Sequence, residues 1–219
     1  SSSGTAQASA PAFSAALHTT GDDEVSFVFS SFSSSWAVYR YVVSERRLEV
    51  VTPPAIVLDD LVVSTVTAVS TDGAVVASHV VHRADVDTSE PRPTLLYGYG
   101  SYEASIDPAF SPIRLTLLER GWVYAIAHVR GGGELGRQWY EDGKLLNKQH
   151  TFDNFVAAAE QLITDGWTRP ARLAARGASA GGLLMGAVVN RRPDLFCAVV
   201  AQVPFVDALT TILDESLPL

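Results

Sequence analysis

The chain has 219 residues, 47% of them hydrophobic and 18% charged, which suits one large or two small globular domains around a substantial core. Its net charge of -8, with no run of Lys or Arg longer than two, argues against nucleic acid or an anionic membrane surface as a partner and suits a basic peptide better. The single cysteine, Cys197, excludes an intrachain disulfide, and no apolar stretch approaches the roughly 18 residues that a membrane-spanning helix needs.

Residues 1–16, SSSGTAQASAPAFSAA, carry no initiator Met, no basic n-region and no apolar h-region, so they do not read as a secretory signal. They read as the cut edge of something longer, and a cytoplasmic location is the expectation. Residues 21–58 are β-rich. Val25 to Ser31, Trp36 to Val43 and Leu48 to Val51 are runs rich in Val, Phe, Tyr and Trp, separated by a serine-rich loop and the polar turn Ser44-Glu45-Arg46-Arg47. Three such strands fit most of one propeller blade, or a separate small sheet packed on the next domain. Pro53-Pro54 cannot continue a central strand, which makes residues 53–60 the expected domain boundary. Beyond it, Leu61 to Ser70 and Ala74 to Arg83 flank Thr71-Asp72-Gly73, a hairpin signal.

From residue 94 strands and helices alternate. Thr94 to Tyr97, Trp122 to Val129 and Phe196 to Val203 are apolar runs of strand length, and Ile113 to Arg120 is a short helix candidate. Phe152, Phe155, Val156, Ala159, Leu162 and Ile163 form one face of an amphipathic helix, with Thr151 as its expected cap and Gly166 just past its end. Near-continuous apolar strands between helices imply an α/β fold, a mostly parallel sheet covered on both faces. Reactive groups in such sheets collect at the carboxyl ends of the strands, where Tyr99, Arg130 and Ser179 fall. Cys197, inside an apolar run, is expected to be a small core residue.

The motif with chemical content is Gly177-Ala178-Ser179-Ala180-Gly181. Arg172 to Arg176 before it is short enough for a strand, and Ala180 to Asn190 after it carries Leu183, Leu184, Ala187 and Val188 at helical spacing. G-x-S-x-G between a strand and a helix is a nucleophile elbow, whose sharp turn lifts a serine hydroxyl clear of the sheet and leaves no room for a Cβ at the flanking glycines. Ser179 is therefore a candidate acyl-transfer nucleophile. The fold's order of serine, acid, histidine is not met within the chain, because the five histidines are His18, His79, His82, His128 and His150. His79 and His82 lie three apart on one strand and face opposite sides, and with His128 they read as structural. Gly131-Gly132-Gly133, between Arg130 and Glu134, lacks the pattern and the helix start of a phosphate loop and reads as a structural loop with a pairing arginine. No Cys/His cluster has metal spacing, so neither metal nor cofactor is expected. Tyr99, from its position alone, reads as a core tyrosine at a strand end.

Tyr97 to Tyr102 (YGYGSY), His128 to Gly136 (HVRGGGELG), Gly177 to Gly182 and Arg192-Pro193-Asp194-Leu195-Phe196 resemble the prolyl oligopeptidase family of serine peptidases. Ser101-Tyr102, Gln138 to Lys144 (QWYEDGK) and the stretch from Ala201-Gln202-Val203-Pro204-Phe205-Val206-Asp207 through Leu213-Asp214-Glu215-Ser216 look most like its oligopeptidase B branch. The resemblance runs almost continuously over residues 93–219 and is fainter over 21–92. It implies the last blade of a β-propeller over residues 1–58 and the N-terminal part of an incomplete α/β-hydrolase domain over 59–219. It further implies that Ser179 is the nucleophile, that the Ala180 N–H and the Tyr99 hydroxyl form the oxyanion hole, and that Tyr102 borders the substrate. The triad aspartate and histidine lie outside the chain. Ala178 departs from the glycine common in the family, and the extra methyl is expected to be tolerated. The implied activity is hydrolysis of short, basic peptides after Arg or Lys. The residues alone leave two other classes open: a different α/β-hydrolase such as an esterase or acylaminoacyl peptidase, and a non-enzyme, either an inactive truncated product or a chain that acts only once a second polypeptide supplies the acid and base.

Overall fold

The computed structural model describes residues 12–19 and 23–216, so most of the N-terminal segment read as a cut edge, residues 1–11, lies outside the described residues. Four strands, β1 (Ala12–Thr19), β2 (Glu24–Ser31), β3 (Ala37–Val42) and β4 (Arg47–Thr52), form an antiparallel meander in that order. Three of them follow the expected runs. The fourth, β1, was hidden in an Ala- and Ser-rich stretch without strand signature, and its ladder to β2 completes the sheet. Phe27 and Tyr39 lie opposite each other on β2 and β3 with rings stacked 5.5 Å apart, while Arg40 on the other face pairs with Glu49 of β4. The period-2 alternation thus separates an aromatic from a charged face.

The chain next runs through Pro53-Pro54 and builds a six-stranded sheet that shares no strand with the first. The hairpin β5 (Leu61–Val69) and β6 (Val75–Arg83) turns at Gly73, whose φ of 87° lies in the left-handed region that favours glycine. β7 (Thr94–Tyr97), β8 (Val123–Ala127), β9 (Leu173–Ala178) and β10 (Ala198–Gln202) are parallel to one another, and the spatial order is β10-β9-β7-β8-β6-β5. Crossovers between parallel strands require intervening helices, supplied by α1 (Pro112–Leu118), α3 (Gln149–Thr164) and α4 (Ala180–Arg191), with short α2 (Arg137–Glu141) and α5 (Ala208–Leu213) besides.

Strand periodicity divides the core. Leu96, Val123, Ala125, Ala127, Leu173 and Ala175 point to the side covered by α3 and α4, where Phe155, Leu162, Leu184 and Met185 are fully buried. Leu95, Tyr124, Ile126 and Ala174 point to the other side and meet Leu118 of α1 and Phe32, just past the end of β2. Phe32 is one of the contacts between the two sheets, and the Ser30 hydroxyl accepts from the Phe110 N–H at 2.9 Å.

Two expectations need correction. Thr151 does not cap α3, which starts two residues earlier at Gln149; Thr151 is fully buried in the first turn and its hydroxyl donates to the carbonyls of Arg130 and Gly143. Cys197 is exposed rather than in the core, because it leads into β10, which among the described residues is an edge strand. The same edge leaves Val200, Val203, Val206 and Leu209 exposed. Among the described residues no helix is long and apolar enough to cross a membrane.

Arg130, only 4% exposed, ties the sheet together. Its guanidinium makes a bidentate contact with Asp72 at the hairpin tip, at 2.6 and 3.0 Å, and its Nε and backbone N–H both donate to Asn154 of α3. These bonds from Arg130 hold the Asp72 carboxyl well below the ordinary carboxylate range, at about 2. Removing one partner of such a pair strands the other charge, at about 1–3 kcal/mol for a pair with one exposed rim. In the full-length protein Asp72→Asn should therefore lower the thermal midpoint by several degrees. The folded carboxyl holds its proton less readily than the unfolded one, so the contribution is complete above about pH 4 and fades as the pH falls towards 2. Melting curves of parent and variant should accordingly converge in acid, and an equal gap at every pH would show the ion pair to be idle.

Candidate active site

The elbow is built by crowding. β9 lies between β10 and β7, and the chain reverses into α4 within one residue, Ser179, held at φ 55° and ψ -118°. A non-glycine residue in that region is strained and must be fixed by its surroundings. Here the Ser179 N–H donates to the Gln202 carbonyl at 3.0 Å, while its own carbonyl accepts from Gly182 and Phe205. The side chain is exposed. A Cβ on Gly177 would lie 2.1 Å from the Gly181 carbonyl oxygen, and one on Gly181 would lie 2.8 Å from the Gly98 carbonyl oxygen, so neither position admits a side chain. Ala178, the last residue of β9, pairs regularly with Gln202, so its methyl leaves the β9–β10 register intact.

Ala180 is buried as the first residue of α4, so its N–H has no acceptor within the helix. Tyr99 stands two residues past the end of β7 and lies against the same turn: a Cβ on Gly181 would come within 3.3 Å of its ring. The phenol is half-buried, and among the described residues its hydroxyl has no hydrogen-bond partner. Burial, then the neighbouring Tyr102 and Tyr97, push its pKa up, which keeps it a donor. The structure thus brings Ser179, Ala180 and Tyr99 to one end of the sheet. Tyr102, on the same loop, neighbours the Tyr99 phenol. It is 73% exposed and borders a cleft of about 310 Å3 with Ser101, Tyr140, Lys144, Leu145 and Lys148, a cleft that neither Ser179 nor Tyr99 lines.

His79 and His82 do face opposite sides, His79 towards Phe32 and His82 towards Trp167. The His79 and His128 rings meet edge to face, with 2.8 Å between Nδ1 and Nε2, and burial, reinforced by His128, pushes His79 down to about 4. Glu134 accepts from the Ile106 N–H, so the glycine triplet and its flanking charges are fastened into the fold through Arg130 and Glu134. No group of three His, Cys, Asp or Glu side chains suited to a metal ion occurs among the described residues.

Sequence reading missed two anchors of this region. Asp72 read only as a turn residue, although its charge answers an arginine 58 residues away. Lys148 sat in a polar stretch without signal, because its partners are the Gly100 carbonyl and the Ser101 hydroxyl.

Residues 108–219 match the prolyl oligopeptidase family. The chain belongs to that family of serine peptidases. Among its relatives, Protease 2 of Moraxella lacunata is 58% identical over 129 residues, 59% of this chain and 19% of that protein. Dipeptidyl aminopeptidase BI of Pseudoxanthomonas mexicana is 42% identical over 204 residues, 91% of this chain and 28% of that protein. The structure of oligopeptidase B from Trypanosoma brucei with covalently bound antipain superposes with a TM-score of 0.89 at 41% identity, over 95% of this chain and 31% of that one. The chain therefore spans less than a third of the length of these relatives. As in the oligopeptidases, the four-stranded sheet is a remnant of a β-propeller and the six-stranded sheet is part of an α/β-hydrolase fold.

The crowding at the elbow gives a sharp contrast between two glycines. Gly177→Ala forces a methyl onto backbone atoms and should cost about 1–3 kcal/mol of stability in the full-length protein. Gly186→Ala, in the middle of α4, meets only the Val206 side chain at 3.4 Å and should be neutral or stabilising by up to about 1 kcal/mol. Chemical denaturation of the two variants side by side checks this, and equal effects would contradict the packing account.

Proposed function

We propose that the protein containing this chain is a serine oligopeptidase that cleaves short peptides through an acyl-enzyme on Ser179. The observation that carries the reading is the strained, exposed Ser179 at the end of β9, followed by the helix-start N–H of Ala180, with the ring of Tyr99 against the same turn and its protonated hydroxyl without a partner among the described residues. Residues 1–58 are then the last blade of the propeller and residues 59–219 the N-terminal part of the catalytic domain. A histidine and an aspartate from outside these residues complete the triad, in keeping with the absence of any histidine after Ser179 and the small share of each relative that the chain spans.

The Ser179 hydroxyl loses its proton to that histidine as Oγ bonds to the substrate carbonyl carbon, placing negative charge on the carbonyl oxygen. Two donors answer that charge, the Ala180 N–H and the Tyr99 hydroxyl, and pre-oriented donors need no reorganisation as the charge develops. The C–N bond then breaks, the histidine returns the proton to the leaving amine, and water resolves the ester. Tyr102, exposed on the same loop as Tyr99, borders the substrate. No cofactor takes part. The propeller restricts access to short, unfolded peptides.

Cleavage after Arg or Lys is our assignment of specificity. It is supported by the likeness to oligopeptidase B and by the net charge of -8, which favours basic peptides. The relatives' names range from dipeptidyl aminopeptidase to oligopeptidase B, so a panel of arginyl, lysyl and prolyl amides tests this part separately.

Full-length protein should give a stoichiometric burst with an arginyl ester that Ser179→Ala abolishes, while residues 1–219 alone should give none. A burst from residues 1–219 would overturn the missing-triad reading. Tyr99→Phe should lower kcat roughly 10-fold to 1,000-fold with KM nearly unchanged, the range for removing one oxyanion donor. An unchanged kcat, with at most a lower melting point, would return Tyr99 to the core.

A further inference from the structure

The loop from Gly98 to Ala104 carries Tyr99 and is built under strain. Tyr102 and Glu103 are both held at positive φ, 60° and 58°. Gly100 is at φ 70°, packed so closely on Thr151 and Val129 that a Cβ would lie 2.4 and 2.7 Å from them. Nothing holds the Tyr99 side chain by its own hydroxyl, which has no partner among the described residues. The two left-handed residues form a turn closed by the Ala104 N–H on the Ser101 carbonyl and fastened by the Glu103 N–H on the Gly131 carbonyl, so the far side of the loop is fixed and the side next to Tyr99 depends on other contacts.

Beside Tyr99 the grip comes from Lys148, at the start of α3. Its Nζ donates to the carbonyl oxygen of Gly100, the residue after Tyr99, and to the Ser101 hydroxyl at 2.8 Å. No carboxylate pairs with this ammonium among the described residues, and burial pulls it down to about 8. A lysine on the surface would cost the fold less. α3 itself is anchored beside it, by Thr151 to the Arg130 and Gly143 carbonyls and by Asn154 to Arg130. A rigid element thus reaches across to the loop through one long, charged side chain.

We propose that Lys148 is a positioning residue for the oxyanion hole, clamping Gly100 and Ser101 so that the Tyr99 hydroxyl stays beside the elbow. The inference rests on the reading of Tyr99 as an oxyanion donor. Lys148 itself touches no reacting atom. Its effect lies in the pre-orientation of Tyr99, and misplacing a donor loses transition-state stabilisation without loosening substrate binding.

The experiment is a double-mutant cycle in the full-length protein, with kcat and KM measured on an arginyl amide and a melting curve for each variant. Lys148→Met should lower kcat about 10-fold with KM within twofold of the parent. In the Tyr99→Phe background the same substitution should change kcat by less than twofold, because the group it orients is already gone. If Lys148→Met does not fold, Ser101→Ala carries the test: it removes one of the two contacts and should lower kcat about threefold in the parent and not at all in Tyr99→Phe. An unchanged kcat in the parent background, or an equal fold-loss in both backgrounds, overturns the clamp while leaving Tyr99 as donor. An unchanged kcat in Tyr99→Phe alone overturns both readings, and is distinguished by that single variant.

Discussion

Arg130 is the constraint around which this end of the molecule is arranged. A guanidinium removed from water carries a desolvation penalty of several kcal/mol unless its donors are matched. Here Asp72 and Asn154 match them, drawn from the β5–β6 hairpin and from α3, while Arg130 itself follows β8. Trp139 lies under the same guanidinium and donates its indole N–H to the His128 carbonyl. Four segments distant in sequence are thus fixed relative to one another by one buried charge. That is the platform from which Thr151 and Lys148 reach the loop carrying Tyr99.

The elbow shows the complementary device, in which backbone crowding rather than charge sets the geometry. Gly177, Gly181 and Gly98 approach so closely that the strand β9, the helix α4 and the loop after β7 share one contact point. The strain at Ser179 is sustained by three backbone hydrogen bonds to Gln202, Gly182 and Phe205. Two of these partners lie at or just beyond β10, so the parallel pairing of β10 with β9 also serves to hold the serine. Among the described residues the histidines are engaged away from this turn: His79 with His128, His82 with the Arg83 carbonyl and His150 with the Asp142 carbonyl.

Contact between the two sheets is concentrated in a few residues. Phe32 enters the second core under Arg114 and beside His79, and Ser30 receives the Phe110 N–H. Such a contact joins the four-stranded sheet to the face of the second sheet opposite α3 and α4.

Local pattern determined a great deal in advance. The G-x-S-x-G motif between an apolar strand and a helix, the amphipathic face from Phe152 to Ile163, the hairpin at Asp72-Gly73 and the structural reading of the glycine triplet follow from periodicity and backbone sterics, which act over a few residues. The family was legible for the same reason, because its motifs are short and contiguous. The strand β1 was not, since Ala and Ser have no strand preference and only the ladder to β2 defines it. Thr151 looked like a cap because a hydroxyl before an apolar helix caps in most settings; the Arg130 and Gly143 carbonyls, brought in by the fold, claim that hydroxyl instead. Cys197 looked like core because its neighbours are apolar, and it is exposed because β10 stands at an edge. Asp72 and Lys148 gave no signal at all. Their partners lie 58 and 48 residues away, and a long-range charge or hydrogen bond leaves no periodicity in the sequence, so only the tertiary structure decides it.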